Sequence, residues 1–126
     1  ILSNKGILPL LWEMFEGHPN LLPAYFEGDP RAADLSDGYV RKPLLSRQGG
    51  NVEIAKDGRR IAHVEGPYGQ EGFILQAYHP LPKFSGNYPV GGSSLVAGRS
   101  AGISIREDRD LITGETARFI PHVILD

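Results

Sequence analysis

Apolar residues near the start of the chain recur with the spacing of an amphipathic helix. They fall at relative positions i, i+1, i+3, i+4, i+7 and i+8, which places them on one stripe of a helical surface. These residues are Ile7, Leu8, Leu10, Leu11, Met14 and Phe15. Ser3 or Asn4 can cap the start of the helix, and Gly17 followed by Pro19 ends it. The pattern therefore predicts one helix near residues 7–15.

Beyond residue 37 the pattern changes to the alternation and turn spacing of antiparallel strands. Residues 51–55 and 60–64 alternate polar and apolar side chains around Asp57-Gly58, which is a strong hairpin signal. Further strands are predicted at residues 39–42, 72–78, 88–96, 101–106 and 119–125, with 88–96 pairing with 101–106 and 119–125 closing the sheet. Residues 18–37 are rich in Pro, Gly and Asp and predict an irregular connector, with at most a short helix after Asp29-Pro30.

These elements predict an α+β fold in which a helix packs on an antiparallel β-sheet. The sequence shows no repeat, low-complexity tract or linker, so we expect one domain over residues 1–126. The chain starts at Ile1 without Met and runs directly into the predicted helix. We therefore expect it to be a segment of a longer protein.

The composition narrows the classes of function. Of 126 residues, 40% are hydrophobic and 22% charged, and the net charge of -2 shows no basic excess that would indicate a nucleic-acid or membrane partner. The chain has no cysteine, which excludes disulfides, thiolate metal sites and a cysteine nucleophile. Its four histidines lack metal-ligand spacing. No apolar run approaches the length of a membrane span, and the first residues do not form a signal peptide.

The loop after the predicted strand 39–42 offers the most chemistry. It combines the basic side chains of Lys42 and Arg47 with a hydroxyl, an amide and the adjacent glycines Gly49 and Gly50. Glycines let backbone N–H groups approach an anion, and the two cations would add charge against phosphate oxygens. A polar turn with solvated charges would explain the same residues. The segment is not a Walker loop, because G-x-x-x-x-G-K-[ST] is absent.

Two later segments offer weaker signals. Residues 75–79 form an apolar strand that breaks at Pro80, and its main-chain end can hydrogen-bond a purine edge or simply belong to a core strand. In residues 101–109, alternation puts Ser104 and Arg106 on one face. Arg106 can pair with a substrate carboxylate or phosphate, or with a neighbouring acidic side chain. The residues alone leave both alternatives open.

Taken in order, these motifs resemble the C-terminal ATP-grasp segment of glutathionylspermidine synthase-like ligases. The resemblance rests on residues 3–12, 39–43, 46–51, 81–83 and 105–112, and it extends over essentially the whole chain. The most similar branch comprises bacterial proteins proposed to be acid–amine ligases, which lack the amidase half of the bifunctional enzymes. Val90 departs from the polar nucleotide contact of the glutathionylspermidine enzymes, so their substrates are not carried over.

The resemblance implies roles for individual residues. Lys5 and Lys42 would hold ATP phosphates, and Arg106 would contact the acid substrate. The phosphate-covering loop would comprise Arg47, Gln48 and Gly49. The hinge against adenine would comprise Gln76, Ala77, Tyr78 and His79. The nucleotide pocket would be lined by Leu111, Ile112 and Thr113.

The implied chemistry is ATP-driven formation of an amide from a small carboxylic acid and an amine, through an acyl phosphate. Such phosphoryl transfer uses Mg²⁺, and the resemblance places its ligands and a catalytic arginine upstream of this segment. No catalytic residue is therefore assigned, and the segment alone should not turn over substrate. ATP use and the lack of a targeting segment imply a cytoplasmic location. The alternative is a non-catalytic α+β binding or structural module with no nucleotide preference.

Overall fold

A computed structural model describes residues 3–123. They cluster into two compact units, one ending at His79 and the other beginning at Pro80. The single domain predicted for residues 1–126 remains a prediction, because compactness alone does not show whether either unit folds independently. Within residues 3–123, no helix is long and apolar enough to cross a membrane.

The first unit is a helix against a five-stranded antiparallel sheet. The strands lie in the order β1-β5-β2-β3-β4, and α1 packs against β1. The elements are α1 (Ile7–Met14), β1 (Ala24–Phe26), a 3-10 helix (Pro30–Asp34), β2 (Gly38–Pro43), β3 (Glu53–Lys56), β4 (Arg59–His63) and β5 (Phe73–Ala77). For this unit, the predicted helix on an antiparallel sheet is confirmed.

The expectation that Ser3 or Asn4 caps the helix was wrong, because Gly6 occupies the N-cap position and no side chain within residues 3–123 caps the first turn. Asn4 Oδ1 accepts the Gly6 N–H at 2.8 Å, one residue before the helix. The expected end of the helix is confirmed. Gly17 takes a φ of +78° just beyond the helix, a conformation that glycine adopts without steric cost.

Residues 18–37 hold one element that the sequence did not predict. The short helix after Asp29-Pro30 is present as the 3-10 helix, but β1 is a strand where an irregular connector was expected. Tyr25 of β1 lies opposite Leu75 of β5. A three-residue strand carries too little pattern to identify by itself, and this one exists because it pairs with a distant part of the chain.

The second unit is a three-stranded antiparallel sheet in the order β6-β7-β8. Its strands are β6 (Tyr88–Val96), β7 (Arg99–Asp108) and β8 (Arg118–Ile120). The predicted pairing of 88–96 with 101–106 is confirmed, and the turn at Ala97-Gly98 joins the two strands. Of the predicted strand 119–125, residues 119 and 120 belong to β8, and 124 and 125 lie outside the described residues. We expected this strand to close a single sheet, and that was wrong, because β8 pairs with β7 in the three-stranded sheet, which is separate from the five-stranded one.

The sheet of the first unit has one face that carries its most deeply buried residues. Ile74 is fully buried there, and Ile54 and Gln76 lie on the same face by strand register. Gln76 is the one buried polar side chain among the described residues. A buried amide in an apolar layer needs a hydrogen-bond partner, so its surroundings indicate where the polar chemistry of this unit lies.

Candidate anion-binding site

The partner of the Gln76 amide is the ammonium of Lys42. Lys42 lies opposite Ile74 and Val40 lies opposite Gln76, so the register places Lys42 and Gln76 on the same face. Lys42 Nζ donates to Gln76 Oε1 at 2.7 Å. Burial lowers the pKa of Lys42, and the positive charge of Lys5 lowers it further. The ammonium is therefore held by a neutral acceptor in a place that disfavours its charge.

Lys5 brings a second ammonium to the same region from the segment that precedes α1. Its main-chain N–H donates to Leu44 O at 2.8 Å, which ties this segment to the end of β2. Lys5 Nζ then donates to Ser46 Oγ at 2.9 Å and to Ser46 O at 3.1 Å. Burial lowers the pKa of Lys5 as well. The contacts between residues 5 and 46 join the start of the helix to residues 46–51, the loop after β2 that contains Gly49 and Gly50 and is called the glycine loop below.

Neither ammonium forms an ion pair within residues 3–123. The neighbouring cation behaves differently. Arg41 projects from the other face of β2, pairs with Glu27 through contacts of 2.6 and 3.2 Å, and lies over the Phe73 ring. The fold thus neutralises the outward cation with a carboxylate and leaves the two inward lysines with neutral partners only.

The glycine loop presents free backbone donors beside these lysines. Gly50 N–H donates to Arg47 O, and Val52 N–H donates to Gly49 O, both at 3.0 Å. The N–H groups of Arg47, Gln48 and Gly49 make no hydrogen bond within the described part of the chain. Gln48 and Gly49 both have positive φ, at 53° and 75°. Successive free N–H groups in a turn of this kind can bind an anion.

The second glycine of the loop has a packing role. A Cβ on Gly50 would come within 2.9 Å of the Tyr68 ring, so no larger residue fits without displacing that ring. Asn51 fastens the same contact, because its Oδ1 accepts the Tyr68 N–H at 2.8 Å. Gly49 and Gly50 therefore serve different purposes, one conformational and the other steric.

The segment predicted to read adenine starts inside the sheet and leaves it. Gln76 and Ala77 end β5, and Tyr78 and His79 follow. The Ala77 N–H donates to Pro23 O at 2.8 Å and the Tyr78 N–H to Gly38 O at 3.0 Å. Both N–H groups are therefore used by the fold itself. His79 is exposed at the end of the unit.

Arg106 lies in the second unit, on β7. Its Nη2 donates to Gly114 O at 3.0 Å, and its guanidinium carbon is 5.5 Å from the centre of the Phe119 ring. Arg106 Nε is buried and has no hydrogen-bond partner among the described residues. A buried donor left without a partner costs about 1–3 kcal/mol of stability.

The loop after β7 contains the other three predicted nucleotide contacts. Ile112 is buried, with 8% of its surface exposed, whereas Leu111 and Thr113 are partly exposed. Asp108 closes the loop by accepting the Gly114 N–H at 2.9 Å and the Asp110 N–H at 3.3 Å. These backbone donors, Gly114 first, hold the pKa of Asp108 below its ordinary value.

Residues 3–123 contain no cluster of three or more His, Asp or Glu side chains that could hold a metal ion. A cavity of about 450 Å³ lies beside the 3-10 helix and the β3–β4 hairpin, with Leu35, Tyr39, Ala55 and Arg59 among its lining residues. None of the predicted site residues lines this cavity.

The structure thus gathers some of the residues that the sequence singled out. Lys5, Lys42 and Gln76 meet in the first unit, with the loop 47–49 linked to them through Ser46. Arg106 meets the loop 111–113 in the second unit through Gly114. The sequence reasoning gave no role to Ser46, which follows Lys42 by four residues, or to Asp108. The available signal for Asp108 was the tendency of aspartate to accept the backbone N–H two residues on, as it does from Asp110.

Comparison with known proteins gives a consistent result along the chain. A family model described as "Glutathionylspermidine synthase preATP-grasp" matches residues 1–125. A proposed acid–amine ligase of Haemophilus influenzae is 40% identical over 97% of this chain and 32% of its own length. Trypanothione synthetase of Crithidia fasciculata is 37% identical over 93% of this chain and 18% of its own length.

A third relative is more distant. The bifunctional glutathionylspermidine synthetase/amidase of Escherichia coli is 28% identical over 98% of this chain and 20% of its own length. The chain therefore spans about a third or less of the length of these relatives.

Proposed function

This chain belongs to the glutathionylspermidine synthase preATP-grasp family, and from that premise we propose that it is the ATP-binding portion of a carboxylate–amine ligase. The parent enzyme joins a small carboxylic acid to an amine. A carboxylate oxygen attacks the γ-phosphorus of ATP and ADP leaves, and the amine nitrogen then attacks the acyl carbon and displaces inorganic phosphate. The proposal includes membership of the ATP-grasp fold for this segment.

The observation that carries the proposal is the pair of inward ammoniums. Burial lowers the pKa of both Lys5 and Lys42, and the positive charge of Lys5 lowers the pKa of Lys42 further. Two ammonium groups held close together with no carboxylate to neutralise them lower the stability of the fold. A polyanionic ligand offsets that cost when it binds, and the phosphates of ATP have the required charge.

Counting donors supports the same conclusion. Lys5 Nζ uses two of its three N–H groups on Ser46, and Lys42 Nζ uses one of three on Gln76. Three ammonium N–H groups therefore stay available to a ligand. The free backbone N–H groups of Arg47, Gln48 and Gly49 add three more. This set suits phosphate oxygens, each of which accepts several hydrogen bonds.

The hinge also limits how adenine can be read. Because the Ala77 and Tyr78 N–H groups donate within the fold, a purine edge would use the carbonyl groups of residues 77 and 78 and the N–H of His79. The side chain of Gln76 is committed to Lys42. Main-chain reading of this kind distinguishes adenine by the position of its amino group and ring nitrogen.

In the second unit, Arg106 is the proposed contact of the acid substrate. A guanidinium recognises a carboxylate with two parallel hydrogen bonds, which lysine cannot supply. Leu111 and Thr113 are the proposed side-chain lining of the nucleotide pocket, and buried Ile112 anchors the loop. We place no Mg²⁺ ligand within residues 3–123, so no step is assigned to the metal in this segment.

Calorimetric titration with Mg·ATP tests the proposal. We expect the wild-type chain to bind, Lys42→Ala to abolish binding, and Lys83→Ala to bind like wild type. Lys83 is a suitable control because it is exposed and its Nζ lies 4.9 Å from the Tyr88 ring, a contact with no role in the site. Equal losses in the two variants would remove the reason for assigning Lys42 to phosphate.

The same titration separates the proposal from a module with no nucleotide preference. A folded wild-type chain that binds neither Mg·ATP nor inorganic pyrophosphate would support the non-catalytic module. For the full-length parent, ADP release that depends on both a carboxylic acid and an amine would identify a ligase. Release that needs the acid alone would identify a kinase-like enzyme instead.

A further inference from the structure

Asp108 and Arg106 lie on the same face of β7, since they are two residues apart in the strand. Glu107, on the other face, is occupied by Arg118 and Asn87. Asp108 is therefore the acidic side chain of β7 that can reach the loop on the Arg106 face. Its two oxygens accept from the N–H groups at both ends of that loop, at Asp110 and Gly114.

The backbone of Gly114 forms one hydrogen bond with Asp108 and one with Arg106. Its N–H donates to Asp108 Oδ2 at 2.9 Å, and its carbonyl oxygen accepts from Arg106 Nη2 at 3.0 Å. Anything that moves this residue therefore moves an acceptor of the Arg106 guanidinium. The remaining neighbours of Arg106 are the negative charge of Asp108 and the face of the Phe119 ring, and its buried Nε has no hydrogen-bond partner among the described residues.

From this geometry we infer that Asp108 is a positioning residue, which holds the loop 109–113 and the Arg106 guanidinium in one arrangement through Gly114. The inference rests on the proposed function for its consequence, since residues 111–113 are the proposed nucleotide lining and Arg106 the proposed acid contact. Asp108 itself touches no substrate. One carboxylate would then set the geometry for two different substrates.

The contact with Gly114 is tested by amide hydrogen exchange in the nucleotide-free chain. Asp108→Asn leaves one acceptor oxygen in place of two, so it cannot serve Gly114 and Asp110 together. Asp110→Asn is the matched control, because the same chemical change falls on a side chain with no hydrogen bond or ion pair in the described residues. We expect Gly114 N–H exchange to be about tenfold faster in Asp108→Asn only.

The link to Arg106 is read from the nuclear magnetic resonance of its Nε–H group. We expect this resonance to shift in Asp108→Asn and to stay unchanged in Asp110→Asn. Asp108→Glu keeps the charge but displaces the carboxylate by one methylene, so it should shift the resonance as well. Either an unchanged Gly114 exchange or an unchanged Arg106 resonance in Asp108→Asn would overturn the inference.

Mg·ATP affinity then decides the functional consequence. We expect Asp108→Asn to bind Mg·ATP about tenfold more weakly than Asp110→Asn, by loss of one charge-assisted hydrogen bond in the loop. An affinity equal to that of the control, with Gly114 exchange accelerated, would refute the positioning role. If wild type binds no Mg·ATP, the proposed function fails, while the exchange and resonance data still decide whether Asp108 orients Arg106.

Discussion

The contact between Lys42 and Gln76 predicts a strong thermodynamic coupling between two residues that are distant in sequence. Each side chain satisfies the other in a buried layer, across 2.7 Å. Removing either one leaves its partner buried and incompletely bonded. Removing both leaves an apolar layer with nothing to satisfy. The double variant should therefore be more stable than the sum of the single variants indicates.

The magnitudes follow from the groups involved. Gln76→Leu removes an acceptor from an ammonium, and a hydrogen bond to a charged group contributes about 1.5–3 kcal/mol. Lys42→Met leaves the Gln76 carbonyl oxygen unsatisfied, which costs about 1–3 kcal/mol, partly offset by relief of the repulsion from Lys5. The double variant should lie within about 1 kcal/mol of wild type. The two single losses sum to about 2.5–6 kcal/mol before the offset from Lys5, so we expect a coupling energy of at least about 2 kcal/mol.

Urea denaturation at pH 7 measures this coupling. Trp12 is the only tryptophan of the chain and lies in α1, so its fluorescence reports on the first unit. Lys56→Met with Gln76→Leu is the matched control cycle, since Lys56 is exposed and makes no side-chain hydrogen bond within residues 3–123. Single effects that add within about 0.5 kcal/mol in the Lys42 cycle would refute the reasoning.

Three further outcomes follow from the same structure. The free energy of unfolding should rise as the pH rises from the lowered pKa of folded Lys42 to its unfolded value of about 10.4, because the folded chain binds fewer protons than the unfolded chain between them. Urea titrations should show this slope in wild type and a smaller one in Lys42→Met. Inorganic pyrophosphate at a hundred times its dissociation constant should stabilise wild type by about 2.7 kcal/mol in thermal unfolding, and Lys42→Met should show no such gain. Gly69→Ala should be less stable than Gly58→Ala by about 1–3 kcal/mol in urea, because a Cβ at Gly69 would lie 2.3 Å from the Phe73 ring and one at Gly58 meets nothing within 4 Å; equal losses would contradict the clash.

Local signals accounted for the parts of the fold that sequence could predict. Asp57 and Gly58 both take positive φ, at 50° and 70°, which the Asp-Gly turn signal implies for a two-residue hairpin. The helix and its end at Gly17 were likewise encoded within a few residues. The β1 strand was missed because its pairing with β5 is non-local, and the strand order β1-β5-β2-β3-β4 has no local signature at all.

The candidate site divides in the same way. Lys42 and the loop 47–49 stand together in the sequence, so a pattern of charge and glycine could identify them. The contact with Gln76 depends on how β5 aligns with β2, and the contact of Lys5 with Ser46 joins residues 41 positions apart. Non-local contacts of this kind are set by strand register and by packing, which a single sequence does not display.

The register of β5 also constrains how this family can change its length. Gln76 shares a face with Lys42 only because it lies two positions beyond Ile74, which is opposite Lys42. A deletion or insertion of one residue in β5 would turn Leu75 or Ala77 inward and expel the amide to the other face. The turn at Ala97-Gly98 has exposed residues on both sides and no such coupling. Length variation among natural homologues should therefore collect at that turn and be absent from β5.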